Sequence, residues 1–255
     1  MITVGIDVGS ITAKSAVVKD GKVISHKLIM TGYNARNAGE KVFGSVIKDL
    51  GLKASSIDKI ISTGYGRNSV TIAHKAVTEI TCHAKGAHYL DPAIRSVIDI
   101  GGQDSKAIVV SDVGRVKDFA MNDKCAAGTG RFLEVMARAL EVDLNDFGDF
   151  SLNADQPSHI SSLCTVFAES EVISLISNGE KRMNIIAGIH ESIAARVVAM
   201  AGRVGLETPI MMTGGVAKNI GVVKALERKT GEKIVVSPKA QITGAIGAAL
   251  IGQLA

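Results

Sequence analysis

Two cysteines of this 255-residue chain stand where they could carry chemistry. Cys125 lies in segment 122–134, Asn-Asp-Lys-Cys-Ala-Ala-Gly-Thr-Gly-Arg-Phe-Leu-Glu, and Cys164 lies in segment 161–171, Ser-Ser-Leu-Cys-Thr-Val-Phe-Ala-Glu-Ser-Glu. Apolar residues at helical spacing follow both, so each cysteine is predicted to stand just before a helix. A helix N-terminus has unpaired N–H groups and a partial positive charge, which favour a thiolate or a bound anion.

Each of these two helices is predicted to gather its apolar residues on one face. The residues of the first face are Phe132, Leu133, Met136 and Leu140, and those of the second are Val166, Ile173 and Ile176.

Two thiols are half of the ligand set that a zinc site or a four-iron cluster usually takes. One hypothesis is a homodimer with a single iron–sulfur cluster on its two-fold axis, held by Cys125 and Cys164 of each chain. The alternative is that both cysteines are small buried apolar residues. The lack of a Cys-x-x-Cys motif favours that alternative. The third cysteine, Cys82, is predicted to be buried on a helix.

Three glycine-containing turns, at 7–14, 99–106 and 213–219, follow predicted strands and could hold phosphate groups. Glycine lets backbone N–H groups approach phosphate oxygens closely. The first turn adds the hydroxyls of Ser10 and Thr12 and the charge of Lys14. Asp7 and Asp99 end two of the strands, are expected to face one cleft, and offer oxygen ligands that suit Mg²⁺. The turns match neither the P-loop nor the dinucleotide-binding motif.

The chain also contains a repeat. A strand, a glycine turn, a second strand, a tight turn and a third strand occur twice, about 90 residues apart, which indicates two similar domains. Helices are predicted over 37–50, 70–76, 79–90, 183–204, 221–229 and 242–254, and further strands over 57–62, 209–213 and 233–236.

Composition excludes several classes of function. The net charge is a mild +4 and aromatic residues are only 4% of the chain, so a nucleic-acid surface is not expected. No run of 18 apolar residues is present, so no membrane span is expected. The start of the chain reads as a strand rather than a signal peptide, and three widely spaced cysteines do not form a disulfide framework. A cytoplasmic location is therefore expected.

Residues 5–10 (Gly-Ile-Asp-Val-Gly-Ser), 99–102 (Asp-Ile-Gly-Gly) and 212–215 (Met-Thr-Gly-Gly) resemble the two phosphate motifs and the adenosine motif of the actin/Hsp70/sugar-kinase superfamily. Within it, the two cysteine segments and residues 64–68 (Gly-Tyr-Gly-Arg-Asn) resemble activators of 2-hydroxyacyl-CoA dehydratases, in the BadF/BadG/BcrA/BcrD ATPase family. The resemblance covers essentially the whole chain.

The resemblance implies an α/β fold of two duplicated actin-like ATPase (ribonuclease H-like) domains with a nucleotide cleft between them. Domain I would comprise residues 1–95 with about 240–255, and domain II residues 96–239. The implied assembly is a homodimer that holds one [4Fe–4S] cluster through Cys125 and Cys164 and binds ATP or ADP with Mg²⁺. The implied partners are a ferredoxin or flavodoxin as electron donor and a 2-hydroxyacyl-CoA dehydratase component.

The resemblance also implies roles for individual residues. The nucleotide-contacting positions would be Ser10, Ile11, Thr12, Ala13, Lys14, Gly101, Gly102, Gln103, Gly214, Gly215, Asn219 and Gln241. Gln103 would orient the attacking water, and Asp7 and Asp99 would serve catalysis through Mg²⁺. The family usually has a small or hydroxylated residue where this chain has Ile11, a change that backbone contacts tolerate.

The implied activity is ATP-dependent one-electron reduction, in which hydrolysis makes electron transfer to the dehydratase directional. One alternative is the ATPase partner of a benzoyl-CoA-type or double-cubane-cluster reductase. Alternatives from other classes are a non-redox nucleotide switch and a small-molecule (amino-sugar) kinase, with Asp104 as its base. The cations Lys124, Arg131, Lys181 and Arg182 could steer an acidic electron donor or could simply be solvated.

Overall fold

The computed structural model describes residues 1–161 and 164–254. The chain divides into two compact units. Unit 1 comprises Met1–Val97, Val109–Asp118 and Ser237–Ala255, and unit 2 comprises Ile98–Ile108 and Phe119–Val236. The limits of the two functional domains given above stay a prediction.

A five-stranded sheet in the order β3-β2-β1-β4-β5 forms the centre of unit 1. Its strands are β1 (Ile2–Val8), β2 (Thr12–Lys19), β3 (Lys22–Met30), β4 (Lys59–Thr63) and β5 (Lys75–Ala76). The helices of the unit are α1 (Ala35–Asp49), α2 (Glu79–Leu90) and α8 (Thr243–Gly252). β1 runs antiparallel to β2 and parallel to β4.

Both faces of the unit 1 sheet are covered, which is why β1 is apolar and buried along nearly its whole length. Val42 and Phe43 of α1 belong to the core on one face, and Ile246 of α8 belongs to the core on the other. Small residues allow α8 to approach closely: a β-carbon at Gly5 would collide with the carbonyl oxygen of Ala245. A β-carbon at Gly247 of α8 would likewise collide with the Cys82 carbonyl oxygen, so small residues on both sides permit close packing.

The second five-stranded sheet has the order β10-β9-β6-β7-β8. Its strands are β6 (Ser96–Ile100), β7 (Ser105–Val110), β8 (Val116–Asn122), β9 (Ile210–Thr213) and β10 (Ile234–Val236). The helices of unit 2 are α3 (Gly130–Ala139), α4 (Phe147–Leu152), α5 (Thr165–Ser177), α6 (Arg182–Ala201) and α7 (Ile220–Thr230). Read from the opposite edge, the strand order repeats that of unit 1. The repeat and the α/β fold inferred from the sequence are thus confirmed.

The helix predicted over 70–76 is wrong. Val70 is buried in the unit 1 core, and the following turn leads into the short edge strand β5. The His74 N–H donates to the Ile60 carbonyl at 2.8 Å, and the Ile60 N–H donates to His74 Nδ1 at 2.9 Å. Pairing with β4 and burial of Val70 override a local pattern that suits a helix. The helix α4 was not predicted.

Among the residues described, no helix is long and apolar enough to cross a bilayer.

Candidate functional site

The first glycine turn joins β1 to β2 and holds Asp7 against Lys14. The two residues are register partners in the antiparallel pair, and Lys14 Nζ lies 3.4 Å from Asp7 Oδ2. The Gly9 N–H donates to the Thr12 carbonyl at 3.0 Å, which closes the turn. Asp7 is buried, with 5% of its surface exposed, so the lysine compensates a carboxylate that water reaches poorly.

The structure assembles further residues around Asp7 that sequence reasoning missed. Gly64 has a φ of +84°, and a β-carbon there would collide with Asp7 Oδ1. A β-carbon at Gly244 would lie 3.0 Å from Asp7 Oδ2 and 2.9 Å from Nε2 of the buried His83. Two glycines and a histidine therefore enclose this carboxylate. Only Gly64, within Gly-Tyr-Gly, carried a visible signal in the sequence.

Between Asp7 and Lys14, Ser10, Ile11 and Thr12 are half-buried. Ala13 is fully buried in the core, so neither its side chain nor its backbone is exposed to a ligand. Gln241, also in unit 1, is half-buried in a short turn before α8.

The second glycine turn, in unit 2, has the same plan as the first. Asp99 stands near the end of β6, and Lys106, seven residues later like Lys14 after Asp7, lies on β7 with Nζ 3.2 Å from Asp99 Oδ2. Lys106 is only 1% exposed and also contacts Asp104 Oδ1 at 2.8 Å. Because Asp104 is held by a buried lysine, it is poorly suited to serve as a mobile kinase base.

The third glycine turn contacts the second. β9 is the neighbour of β6, so the Thr213 hydroxyl donates to Asp99 Oδ1 at 2.7 Å. Gly214 has a φ of +87°, and a β-carbon there would clash with the carbonyl oxygen of Ile100. Gly101 and Gly102 are half-buried, while Gln103 and Gly215 are exposed. The structure therefore brings the second and third predicted motifs together within unit 2.

Asn219 caps α7 and is itself held by His190. Its Oδ1 accepts from the Val222 N–H at 3.1 Å, and its Nδ2 lies 3.3 Å from His190 Nε2. Burial lowers the pKa of His190 to about 3, so this imidazole is neutral at pH 7 and packs edge-on against Phe147. The cap fixes the direction of the Asn219 side chain, which the sequence alone did not show.

Cys125 lies on a loop that is held in place by hydrogen bonds from neighbouring residues. The Asn122 side-chain amide donates to the Cys125 carbonyl at 2.9 Å and accepts from the Cys125 N–H at 3.2 Å. The Thr129 hydroxyl donates to the Ala126 carbonyl. α3 begins at Gly130, so Cys125 precedes a helix as predicted, but residues 126–129 separate it from the helix start. The Asn122 contacts and the positive φ of Gly128 hold the intervening residues in a loop.

The first N–H groups of α3 bind the second glycine turn. Gly130 donates to the Gly101 carbonyl at 2.9 Å, and Arg131 donates to the Gly102 carbonyl at 2.8 Å. These groups, which lack partners within their helix, are satisfied by the predicted phosphate turn. A direct backbone link thus connects that turn to the segment that carries Cys125.

Cys164 is the N-cap residue of α5, as the sequence predicts, and its carbonyl accepts the first helical hydrogen bond from Ala168 at 2.9 Å. The Ser161 N–H donates to Glu171 at 3.0 Å, which ties the start of the segment to its helix. Ser162 and Leu163, also part of the predicted segment, lie outside the described residues.

Cys125 and Cys164 are free and exposed, so the alternative that both are buried apolar residues is wrong. Cys82 is buried, as predicted, and burial raises its pKa to about 12, which makes it inert as a thiolate. Sequence reasoning missed a nearby cation, Arg196 on α6. Burial lowers the pKa of Arg196, and both exposed sulfurs oppose that shift. Within 1–161 and 164–254, no group of three or more His, Cys, Asp or Glu side chains could hold a metal. Two solvent-facing thiols without a third protein ligand fit half of a shared four-thiolate site.

Three of the four cations that could steer an acidic electron donor form ion pairs with nearby carboxylates. Lys124 contacts Asp123 at 3.2 Å, Arg131 contacts Glu134 at 2.9 Å, and Lys181 contacts Asp155. These local pairs weaken any long-range field, so solvation is the better description of the three side chains.

A sequence model of the BadF/BadG/BcrA/BcrD ATPase family matches residues 4–252. The activator of lactoyl-CoA dehydratase of Anaerotignum propionicum is 49% identical over 251 residues, covering 98% of this chain and 96% of the relative. The crystal structure of (R)-2-hydroxyglutaryl-CoA dehydratase component A of Acidaminococcus fermentans is similar with a TM-score of 0.95 and 47% identity, covering 99% of this chain and 97% of that one.

A structure with a bound nucleotide analogue is also similar. The activator of the 2-hydroxyisocaproyl-CoA dehydratase from Clostridium difficile with bound ADPNP has a TM-score of 0.93 and 43% identity, covering 99% of this chain and 94% of that one.

Proposed function

This chain belongs to the BadF/BadG/BcrA/BcrD ATPase family, and from that premise we propose that it is an ATP-dependent one-electron reductase that activates a 2-hydroxyacyl-CoA dehydratase. Relatives named as activators of such dehydratases match nearly the full length of the chain, which supports this substrate class. The acyl group that the partner dehydratase handles is left open, because the activator need not touch it.

The observation that carries the proposal is the backbone link between the second glycine turn and α3. Gly101 and Gly102 accept hydrogen bonds from Gly130 and Arg131, and the loop before Gly130 bears Cys125. A turn that shifts when phosphate is bound or lost must shift the start of α3 with it or break two hydrogen bonds. A change in the bound nucleotide would thereby move the cysteine segment through backbone hydrogen bonds alone, without an intermediate side chain.

The two exposed cysteines would hold one half of a [4Fe–4S] cluster. We assign Cys125 and Cys164 as its ligands and a second copy of the chain as the source of the remaining two thiolates. When bound, the cluster would supply the one-electron carrier. The chain's own contribution is to place both sulfurs at the surface, where another protomer and a redox partner can approach.

The outer face of α5 is suited to that second copy. Val166 and Phe167 are 66% and 68% exposed, and Ile173 and Ile176 are also exposed, directly after Cys164. A large apolar face in a soluble protein usually marks an interaction surface. Because half a ligand set needs a second protomer, we assign this face to the homodimer.

The glycine turns would bind ATP and its metal ion. In unit 1, Lys14 and the turn at Ser10 to Thr12 offer a cation and N–H groups to phosphate oxygens, and in unit 2, Gly101 and Gly102 do the same through backbone. Asp7 and Asp99 contact lysines, yet an ionised carboxylate has about four acceptor sites, so each can still accept water bound to Mg²⁺. The other nucleotide contacts predicted above stay proposals.

Gln103 is our candidate for orienting the attacking water, since it is exposed at the tip of the second turn. A glutamine amide orients water but is a poor base, so hydrolysis should be slow until a partner binds. A low-potential ferredoxin or flavodoxin would be the electron donor. Coupling hydrolysis to the Gly101–Gly130 link would make transfer to the dehydratase directional.

The test begins with protein purified without oxygen. We expect a brown protein with about four irons per dimer. With ATP and a reductant, it should activate a 2-hydroxyacyl-CoA dehydratase, and a non-hydrolysable analogue should not support repeated turnover. A colourless protein from iron-replete cells that phosphorylates an amino sugar would overturn the proposal.

The variant Gln103→Ala tests the role of the glutamine within that proposal. ATP turnover by the dehydratase-bound protein should fall by about tenfold or more, while the ATP dissociation constant should stay within about twofold. Unchanged turnover would show that another group orients the water.

A further inference from the structure

Arg196 lies on α6 with a half-buried side chain, while its neighbours Ile193, Ala194 and Val197 are buried in the core of unit 2. Its aliphatic stem lies beside the loop that carries Cys125. A β-carbon added at Gly128, where φ is +88°, would lie 3.7 Å from Arg196 Cβ and 3.8 Å from Arg196 Cδ. Gly128 therefore lies beside the arginine stem, close enough that an added β-carbon would touch it.

The guanidinium of Arg196 lies beside Cys125 and within electrostatic range of Cys164. It hydrogen-bonds Cys125, and the sulfur of Cys164 also acts on its charge. Burial lowers the pKa of Arg196, and these two sulfurs oppose that shift. Arginine keeps its proton in proteins, so this position carries a fixed positive charge beside two thiols.

We propose, resting on the function proposed above, that Arg196 is a positioning residue for the two cysteine ligands and stabilises the reduced state of what they bind. Two thiolates brought near each other repel, and a cation that hydrogen-bonds one and lies near the other lowers the free energy of bringing them together. Net charge and hydrogen bonds to sulfur set the reduction potential of an iron–sulfur cluster. One-electron reduction adds one negative charge and no proton, so a nearby fixed cation favours it.

Other cations close to the cysteines in sequence do not share this geometry. Lys124 is next to Cys125, but its side chain is 89% exposed and contacts Asp123. Arg131 contacts Glu134. Water screens a charge as exposed as Lys124, whereas the half-buried Arg196 is screened less.

The experiment compares Arg196→Met, which keeps the aliphatic stem and removes the charge, with Arg196→Lys, which keeps the charge. The matched control is Arg203→Met, because Arg203 is an exposed arginine just beyond the end of α6. Proteins are loaded without oxygen, and the readouts are iron per dimer and the midpoint potential from an EPR-monitored titration without ATP or dehydratase.

We expect Arg196→Met to hold its electron less tightly. The ratio of reduced to oxidised protein at a fixed potential should fall about tenfold, a shift of about 59 mV to more negative values for a one-electron couple. Arg196→Lys should recover part of this shift, and Arg203→Met should titrate as the wild type. A failure of Arg196→Met to load iron while Arg196→Lys loads and both fold normally also supports the positioning role.

The inference is wrong if loaded Arg196→Met titrates as the wild type, or if Arg196→Lys and Arg196→Met lose iron equally. Should Arg196→Met fail to fold, Arg196→Gln replaces it under the same criteria. A wild-type protein that never takes up iron would refute the proposed function instead, so the two failures are distinguishable.

Discussion

The two cysteine segments differ in how their helices are used. α3, after Cys125, buries its apolar face, with Phe132 and Met136 fully enclosed, and gives its first N–H groups to the glycine turn at Gly101. α5, directly after Cys164, buries only Ala168 and Val172 and turns its large apolar residues outward. One segment is therefore tied to the second glycine turn of unit 2, while the other presents a surface that another chain could cover.

Two similar sequence patterns can therefore serve two different mechanical roles. The buried helix can transmit a displacement because its contacts resist slippage. The exposed helix can serve as a docking face because covering it removes apolar surface from water. The shared metal centre that we propose would need both properties, one to respond to the nucleotide and one to recruit the second half of the ligand set.

The largest expected effect comes from removing either sulfur. Cys125→Ser and Cys164→Ser should each lower iron from about four per dimer to near zero, because a four-iron cluster normally needs every thiolate of its set. Iron analysis of anaerobic protein, with gel filtration for the oligomeric state, is the measurement. Cys82→Ala serves as the control and should retain iron. Intact iron and an intact dimer in Cys164→Ser would remove that cysteine from the ligand set.

Truncating one phenylalanine on each helix tests the contrast in burial. Phe132→Ala should lower the free energy of unfolding by about 3–5 kcal/mol, because it opens a cavity in the core. Phe167→Ala should change the stability of the monomer by less than about 0.5 kcal/mol and should weaken self-association. Denaturant unfolding and sedimentation separate the two effects. Equal destabilisation by both changes would contradict the assignment of α5 as an outward face.

Lowering the pH should reduce the free energy of unfolding through His190 on α6. This helix packs against α5 and carries Arg196 beside the Cys125 loop. The pKa of His190 is lowered to about 3 in the folded protein, against about 6.5 when unfolded, so the unfolded chain binds the proton first as pH falls. Stability is complete above pH 6.5 and is lost progressively toward pH 3. At pH 5 the loss from this residue is about 2 kcal/mol.

Denaturant unfolding at pH 7 and pH 5 measures that loss, with His190→Gln as the comparison. The variant should lack this part of the pH dependence, since glutamine does not titrate. An identical slope in both proteins would mean that His190 is not the group responsible.

The smallest expected effect is a partial uncoupling at the link to α3. In Gly130→Ala the new β-carbon would lie 3.1 Å from the Gly101 carbonyl oxygen, so the glycine turn and the helix must move apart slightly. We expect the number of electrons delivered per ATP hydrolysed to fall severalfold but less than tenfold, which corresponds to a coupling free energy below about 1.4 kcal/mol. The iron content should be unchanged.

The matched control is Gly44→Ala, a helical glycine on α1 with no atom within 4 Å of the added β-carbon. It should leave the electron yield per ATP unchanged. Equal yields in all three proteins would show that the nucleotide signal does not travel through the backbone link.

Apart from segment 70–76 and helix α4, the order of strands and helices could be predicted from the sequence, because alternation, glycine turns and apolar spacing are local. The repeat could also be predicted, since a strand, a glycine turn, a second strand, a tight turn and a third strand occur twice in the sequence. The motifs identified the family, which the comparisons confirmed.

The contacts that these elements make with one another follow from the tertiary structure and not from local sequence. Helical spacing places Val166 and Ile173 on one face but does not say whether another element covers it. Nothing local distinguishes Arg196 from any other helical arginine, and nothing local shows that Gly130 meets the carbonyl of Gly101. These facts depend on residues far apart in the chain, and packing alone brings such residues together.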